Sequence, residues 1–209
     1  MAYVLGYLYA DGSLEDASYL RGKYVRVSST DRQTIVKIKR WLGSAHTIVS
    51  QGPSNLRGKD RFLLRIGNQK LYTSLIKKGL YPNKSLTICL PKVPKDSLAH
   101  FVRGYFDGDG CVYLYTTKGK KVKWVIRKLS VIFTSGSFDF LHKLCNTLQR
   151  KLRLKQTKVY RGTRAYQLRY STYDSVKLFE FMYKTYPSHT YLPRKLHTFS
   201  RFFKLRQRT

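Results

Sequence analysis

Two short stretches of this chain carry the residues best suited to chemistry. Residues 4 to 12 read VLGYLYADG and residues 102 to 110 read VRGYFDGDG, so the aspartates near their ends, Asp11 and Asp109, stand 98 positions apart. In each stretch small residues recur four apart, Gly6 with Ala10 and Gly104 with Gly108, which puts each pair on one face of a helix. Without side-chain bulk there, two helices can approach more closely than the usual ~8 to 10 Å between axes. Each aspartate is followed by a glycine, Gly12 or Gly110, the residue type expected where a helix ends in left-handed conformation. A carboxylate at that end is opposed by the partial negative charge of the helix C-terminus, and packing two such ends together adds mutual repulsion. In a chain with only eleven acids, the pair makes sense if divalent cations bind between the two carboxylates. A single Asp-Gly reads as a turn. Two copies in matching nine-residue settings read as a metal centre.

The elements that must position these residues also come twice. VRVSSTDRQTIVKIKRWL from Val25 parallels VIFTSGSFDFLHKLCNTL from Val131, and FLLRIGNQKLYTSL from Phe62 parallels YQLRYSTYDSVKLF from Tyr166. Each half therefore reads helix, two strands, helix, two strands, helix, with a boundary near Pro91 to Lys95, giving halves of 1–95 and 96–209 in an α+β chain. Thr30 with Gln33 forms a capping-box pattern, Asn68 and Thr172 are N-cap candidates, Gly79 suits a helix end and Pro193 a first helical turn. The strands alternate. Phe62, Leu64 and Ile66 share one face against Arg61, Leu63 and Arg65, and Tyr166, Leu168 and Tyr170 oppose Gln167 and Arg169. A hairpin through Lys118-Gly119-Lys120 leads into a strand that sets Lys121, Lys123 and Arg127 opposite Val122, Trp124 and Ile126. One face of each sheet is core and the other is basic. With Tyr24 and Arg26 added, such a face suits a duplex groove, where these side chains reach base edges.

Charge agrees with that partner. Of 209 residues, 41 are Lys or Arg and 11 Asp or Glu, a formal charge of +30, on a chain with enough apolar residues (42%) for a packed core. A polyanion is the expected partner, and double-stranded DNA the first candidate. A membrane is not expected, because the longest apolar stretch, near Ala2 to Ala10, is half of a spanning helix. Cys89, Cys111 and Cys145 form neither a disulfide framework nor a zinc pattern, which points to a reducing, intracellular compartment.

The two motifs, matched at Gly6, Ala10, Asp11 and Gly12 and at Gly104, Asp107, Asp109 and Gly110, resemble those of a single-chain LAGLIDADG homing endonuclease. The resemblance implies two pseudo-symmetric αββαββα halves, motif helices at a central interface and antiparallel sheets forming a DNA-binding saddle. It implies that Asp11 and Asp109 bind two or three Mg²⁺ ions for phosphodiester hydrolysis, with Ca²⁺ supporting binding without efficient cutting. It further implies a catalytic lysine in each half, for which Lys84 in LYPNKSL and Lys195 in YLPRKLH are the candidates. Tyr9 replaces the earlier acid that Asp107 keeps, so the packing of the halves should be asymmetric. The expected protein is a monomer making a double-strand break in an asymmetric site of ~20 bp. An RNA maturase acting on intron RNA, or a non-cleaving DNA-binding regulator, would use the same saddle.

Overall fold

The protein is described by a computed structural model that covers residues 1–17, 22–52, 59–118, 124–184 and 191–207. Lys121 and Lys123 lie outside the described residues, as does the turn expected at Gly119-Lys120, and Arg127 is placed by its backbone alone. The chain runs α1 (Ala2–Asp11), β1 (Gly12–Ala17), β2 (Gly22–Ser29), α2 (Arg32–Trp41), β3 (Ile48–Gln51), β4 (Arg61–Gly67) and α3 (Gln69–Lys77). The order then repeats as α4 (Leu98–Asp109), β5 (Gly110–Lys118), β6 (Trp124–Ser135), α5 (Phe138–Leu152), β7 (Val159–Arg161), β8 (Tyr166–Arg169) and α6 (Thr172–Tyr183). One further helix, α7 (Pro193–Arg206), has no full counterpart after α3, where the described residues form 3₁₀ turns at Lys84–Leu86 and Lys95–Ser97.

Two four-stranded antiparallel sheets result, ordered β1-β2-β4-β3 and β5-β6-β8-β7. Their registers match as far as a bulge at Tyr115–Thr116 in the second sheet. Ser13 pairs Arg26 and Arg26 pairs Arg65 in the first sheet, while Cys111 pairs Ile132 and Ile132 pairs Arg169 in the second. The sequence repeat is therefore a repeat of hydrogen-bonded pairing. Alternation then decides which face is covered, with Val25, Val27, Leu64 and Ile66 buried in one sheet and Val131, Phe133 and Leu168 in the other.

Between the sheets' covered faces run α1 and α4, buried nearly all round, as helices of a shared core must be. Their seam is set by backbone contact. A Cβ added to Gly6 would lie 2.0 Å from the Phe101 carbonyl oxygen, and one added to Gly104 would lie 2.0 Å from that of Tyr3. Tyr3 and Phe101 are themselves 98 positions apart, so the two notches are reciprocal. A Cβ on Gly108 would collide with the Ala10 methyl at 2.4 Å, which carries the close approach to the aspartates.

The ends of these helices differ from expectation. Gly12 and Gly110 are extended (φ −93° and −98°), and each donates its N–H back to the helix before entering a strand. Glycine is needed there for room, since a Cβ would lie 2.6 Å from the Leu8 oxygen at Gly12 and 2.5 Å from the Phe106 oxygen at Gly110. Capping differs too. Asp31, not Thr30, caps α2 by accepting from the Gln33 N–H, because its carboxylate sits one residue nearer the first free donors. Thr172 is the first residue of α6 and spends its hydroxyl on the Leu129 backbone. Asn68 caps α3 as expected, Gly79 follows that helix with φ +89°, and Pro193 opens α7.

Candidate active site

The paired C-termini of α1 and α4 bring together four charged groups that are far apart in sequence. Asp11 rests on the notch at Gly108, where a Cβ would sit 3.3 Å from its Oδ2, directly beside the end of α4 that bears Asp109. Burial raises the pKa of Asp109 to about 6, and the charge of Asp11 pushes in the same direction, while Lys84 and Lys195 pull it down. Burial also raises that of Asp11, against the Tyr7 hydroxyl, Lys195, Arg61 and Lys84. Both carboxylates thus sit within the fields of both lysines.

The lysines are buried (Lys84 5% exposed, Lys195 4%) rather than solvated, and both point at the ends of the motif helices. Lys84 Nζ donates to the carbonyls of Tyr9 (2.8 Å) and Ala10 (3.4 Å). Lys195 Nζ donates to Phe106, Asp107 (2.9 Å) and Gly110 (2.6 Å). Tyr9, Ala10 and Asp107 offer carbonyls of the kind a helix leaves without partners, the Phe106 oxygen also accepts the Gly110 N–H, and a cation at these ends answers the macrodipole. The two lysines are not equivalent, because an ammonium has three protons. Lys195 has spent all of them, and Lys84 keeps one. Burial lowers the pKa of Lys195 to about 8, against the pull of Asp107.

The asymmetry at Tyr9 and Asp107 feeds into this. Asp107, 1% exposed, accepts from the Tyr3 hydroxyl (2.8 Å) and from the Leu192 N–H (2.9 Å), so it holds the residue that precedes α7 and hence the turn carrying Lys195. In the first half Tyr9 donates instead to the Lys78 carbonyl at the end of α3 (2.5 Å). Sequence reading located this difference and missed its use, because Leu192 lies 85 positions from Asp107.

Among the described residues no group of three or more His, Cys, Asp or Glu could hold a metal ion. Two carboxylates still fit a hard cation of the Mg²⁺ or Ca²⁺ type, since Mg²⁺ is commonly held by one or two carboxylates together with substrate phosphates.

Residues 102–204 match the family model described as LAGLIDADG endonuclease. The fold matches solved structures along nearly the whole chain. That of the LAGLIDADG meganuclease I-AabMI bound to uncleaved DNA has a TM-score of 0.61 at 14% identity, covering 98% of this chain and 90% of that one. The homing endonuclease I-WcaI bound to its DNA recognition sequence gives 0.63 at 13%, covering 94% and 83%. I-SmaMI bound to uncleaved DNA target in the presence of calcium ions gives 0.57 at 15%, covering 90% and 86%. The second half of the chain belongs to the LAGLIDADG endonuclease family, and the whole chain shares the fold of these LAGLIDADG structures. No curated protein sequence matches it. The family model begins with the second motif, and the first is tied to it by the reciprocal notches and the shared strand registers.

In this chain the outward sheet faces carry most of the expected contact residues. Tyr24, Arg26, Arg61 and Arg65 share that face of the first sheet, and Gln167 and Arg169 that of the second. Arg61 stands apart from the other three because its charge reaches Asp11, which places it toward the carboxylates. Two features had not been foreseen. Glu15, opposite Tyr24 on β1, accepts from Arg26 and from Arg65 Nε (2.9 Å), and Arg65 also lies 3.5 Å above the Tyr24 ring. On β5 the exposed Tyr113 and Tyr115 stack nearly parallel, 6° apart. The period-two reading that was applied to β4 and β8 would have placed Glu15 and Tyr113 had it been extended to β1 and β5.

Proposed function

We propose that this chain is a Mg²⁺-dependent endonuclease that makes a double-strand break in a long, asymmetric DNA site of ~20 bp, acting as a monomer. The observation that carries the reading is the meeting of Asp11 and Asp109 at the glycine-notched ends of α1 and α4, with Lys84 and Lys195 on the same helix ends. Asp11 and Asp109 would hold the cations, which supply positive charge to the scissile phosphates and acidify water. Lys84 retains a proton for a phosphate or leaving oxygen, whereas Lys195 adds charge from a fixed position. The seam holds both carboxylates at one place without reorganisation. Arg61 is set to steady a phosphate near Asp11.

Several features support the finer points. Both motifs stand in one chain, so no second copy is needed to complete the carboxylate pair. The outward faces differ at equivalent places, Arg26 against Ile132 and Tyr24 against Ser130, so a palindrome would fit poorly. I-SmaMI was held on uncleaved DNA with calcium, and calcium here should likewise support binding without efficient cutting. No described helix is long and apolar enough to cross a membrane, and the three cysteines are free, which suits a reducing compartment. The test is incubation with a plasmid library carrying random inserts, with Mg²⁺. Linear product that disappears in Asp11→Asn and Asp109→Asn, with DNA binding retained, supports nuclease action. Binding without cleavage by the parent protein would instead make it a regulator, and a preference for structured RNA over duplex DNA would favour a maturase.

A further inference from the structure

The strands hold two acids among the described residues, Glu15 and Asp16, and alternation puts only Glu15 on the outward face of its sheet. On a surface built for a polyanion, a carboxylate is out of place unless it does something phosphates cannot answer. Glu15 is about one-quarter exposed at its side chain (27%), and it is the hub of a local cluster. One oxygen accepts from Arg26 Nη1, the other from Arg65 Nε, and Tyr24 lies under the Arg65 guanidinium. Burial works against the carboxylate, but the two arginines prevail and hold its pKa below the ordinary value. It is therefore charged at neutral pH in the free protein.

We infer that Glu15 is a specificity-determining residue of the first half-site, accepting a hydrogen bond from the exocyclic amino group of a cytosine in the major groove while aiming Arg26 and Arg65 at neighbouring guanines. The inference rests on the DNA-endonuclease reading above. Each carboxylate oxygen has a second lone pair after its arginine is satisfied, and cytosine N4 is the donor a carboxylate matches among base edges. Arg65 meets Glu15 through Nε, which leaves its two terminal nitrogens for the O6/N7 pair of guanine. A guanidinium held this way is prevented from drifting to the nearest phosphate. Among the described residues the second half shows no such device. Tyr113 occupies the place of Glu15, Ile132 that of Arg26, and Arg169 is bound by Gln167 through both Nε (2.9 Å) and Nη2 (2.5 Å).

The experiment is binding-site selection from a randomised duplex with Ca²⁺ present, on the parent protein, Glu15→Gln and Glu15→Ala, together with salt titrations on non-cognate duplex. Melting temperature confirms that both variants fold. The parent should select cytosine at one or two positions of one half-site, and both variants should lose roughly 5- to 150-fold of that preference, the range for a good base contact. Both should also bind non-cognate DNA more tightly, with a salt slope steeper by about one to two as Arg26 and Arg65 swing to phosphates. An acid that only quieted two arginines would change the slope and leave the selected sequence intact. Unchanged cytosine selection, or a loss confined to bases other than that cytosine and the guanines beside it, overturns the inference. A parent protein that selects no sequence at all would overturn the nuclease reading instead.

Discussion

Replacing Gly104 by alanine introduces one methyl group at a point where backbone meets backbone. The new Cβ would stand 2.0 Å from the Tyr3 carbonyl oxygen and 3.0 Å from the Tyr7 nitrogen, so α1 would have to withdraw by about 1.4 Å to reach an ordinary 3.4 Å contact. No rotamer can relieve this, because the obstacle is main chain. Tyr3, Val4, Tyr7 and Leu8 are all buried on α1 and would lose part of their packing with it. The cost therefore lies toward the upper end of overpacking penalties, ~3 kcal/mol. For a chain of this size each kcal/mol lowers Tm by about 2–4 °C, so scanning calorimetry should show a fall of about 6–12 °C. Gly52→Ala is the control, since a Cβ there meets nothing within 4 Å and should leave Tm nearly unchanged. Cleavage by Gly104→Ala should also weaken below its own Tm, because withdrawing α1 carries Asp11 away from Asp109. A Tm within a degree of the parent's would refute the close seam, and with it the reason the two carboxylates meet.

The carboxylate pair makes a prediction with a definite sign. Asp109 has a folded pKa of about 6, above the 3.8 of a free aspartate, so the folded state holds the extra proton between those values and metal-free stability falls as pH rises from about 4 to about 6. Asp109→Asn should remove that loss, raising the metal-free Tm at pH 7 by the equivalent of up to ~3 kcal/mol while abolishing cleavage; an equal or lower Tm would contradict it. Lys84→Met should reduce cleavage more than stability, and Lys195→Met should reduce both, since three carbonyls lose their donor; comparable melting curves for the two variants would contradict the difference. Asp107→Ala leaves the Tyr3 hydroxyl and the Leu192 N–H without an acceptor, which at ~1–3 kcal/mol per group should lower Tm by several degrees and speed hydrogen exchange at the start of α7. Parent-like protection at Leu192 would show that Asp107 does not hold that turn.

Much of this architecture was legible because it is periodic. The spacing of Gly6, Ala10, Gly104 and Gly108 gave the seam, and alternation in Arg61 to Ile66 gave a basic outer face that the register of β2, β4 and β3 reproduces. What escaped depends on geometry that periodicity does not encode. Glycine at position 12 is equally consistent with a left-handed turn and with a crowded extended bend, and only coordinates separate them. Thr30 and Asp31 are adjacent cap formers, and the choice between them depends on where the chain turns into α2. The lysines were candidates through the family resemblance, but their burial against main-chain oxygens was not foreseen, since each bond spans more than 70 positions. The Glu15 cluster joins residues from three strands and becomes visible only once the register is known.

The devices that fix the centre share a property. The notches at Gly6 and Gly104 face carbonyl oxygens, and Lys84 and Lys195 terminate on carbonyl oxygens, so the pivot is built largely against the peptide backbone. Backbone atoms are the same whatever residue supplies them. Side chains on the outer strands can consequently be exchanged without disturbing the place where the acids meet, which accounts for a fold shared with relatives at 13–15% identity. On the reading proposed above, target choice and scission are thereby decoupled: the chain can drift toward a new site one strand residue at a time while its cutting machinery stands still.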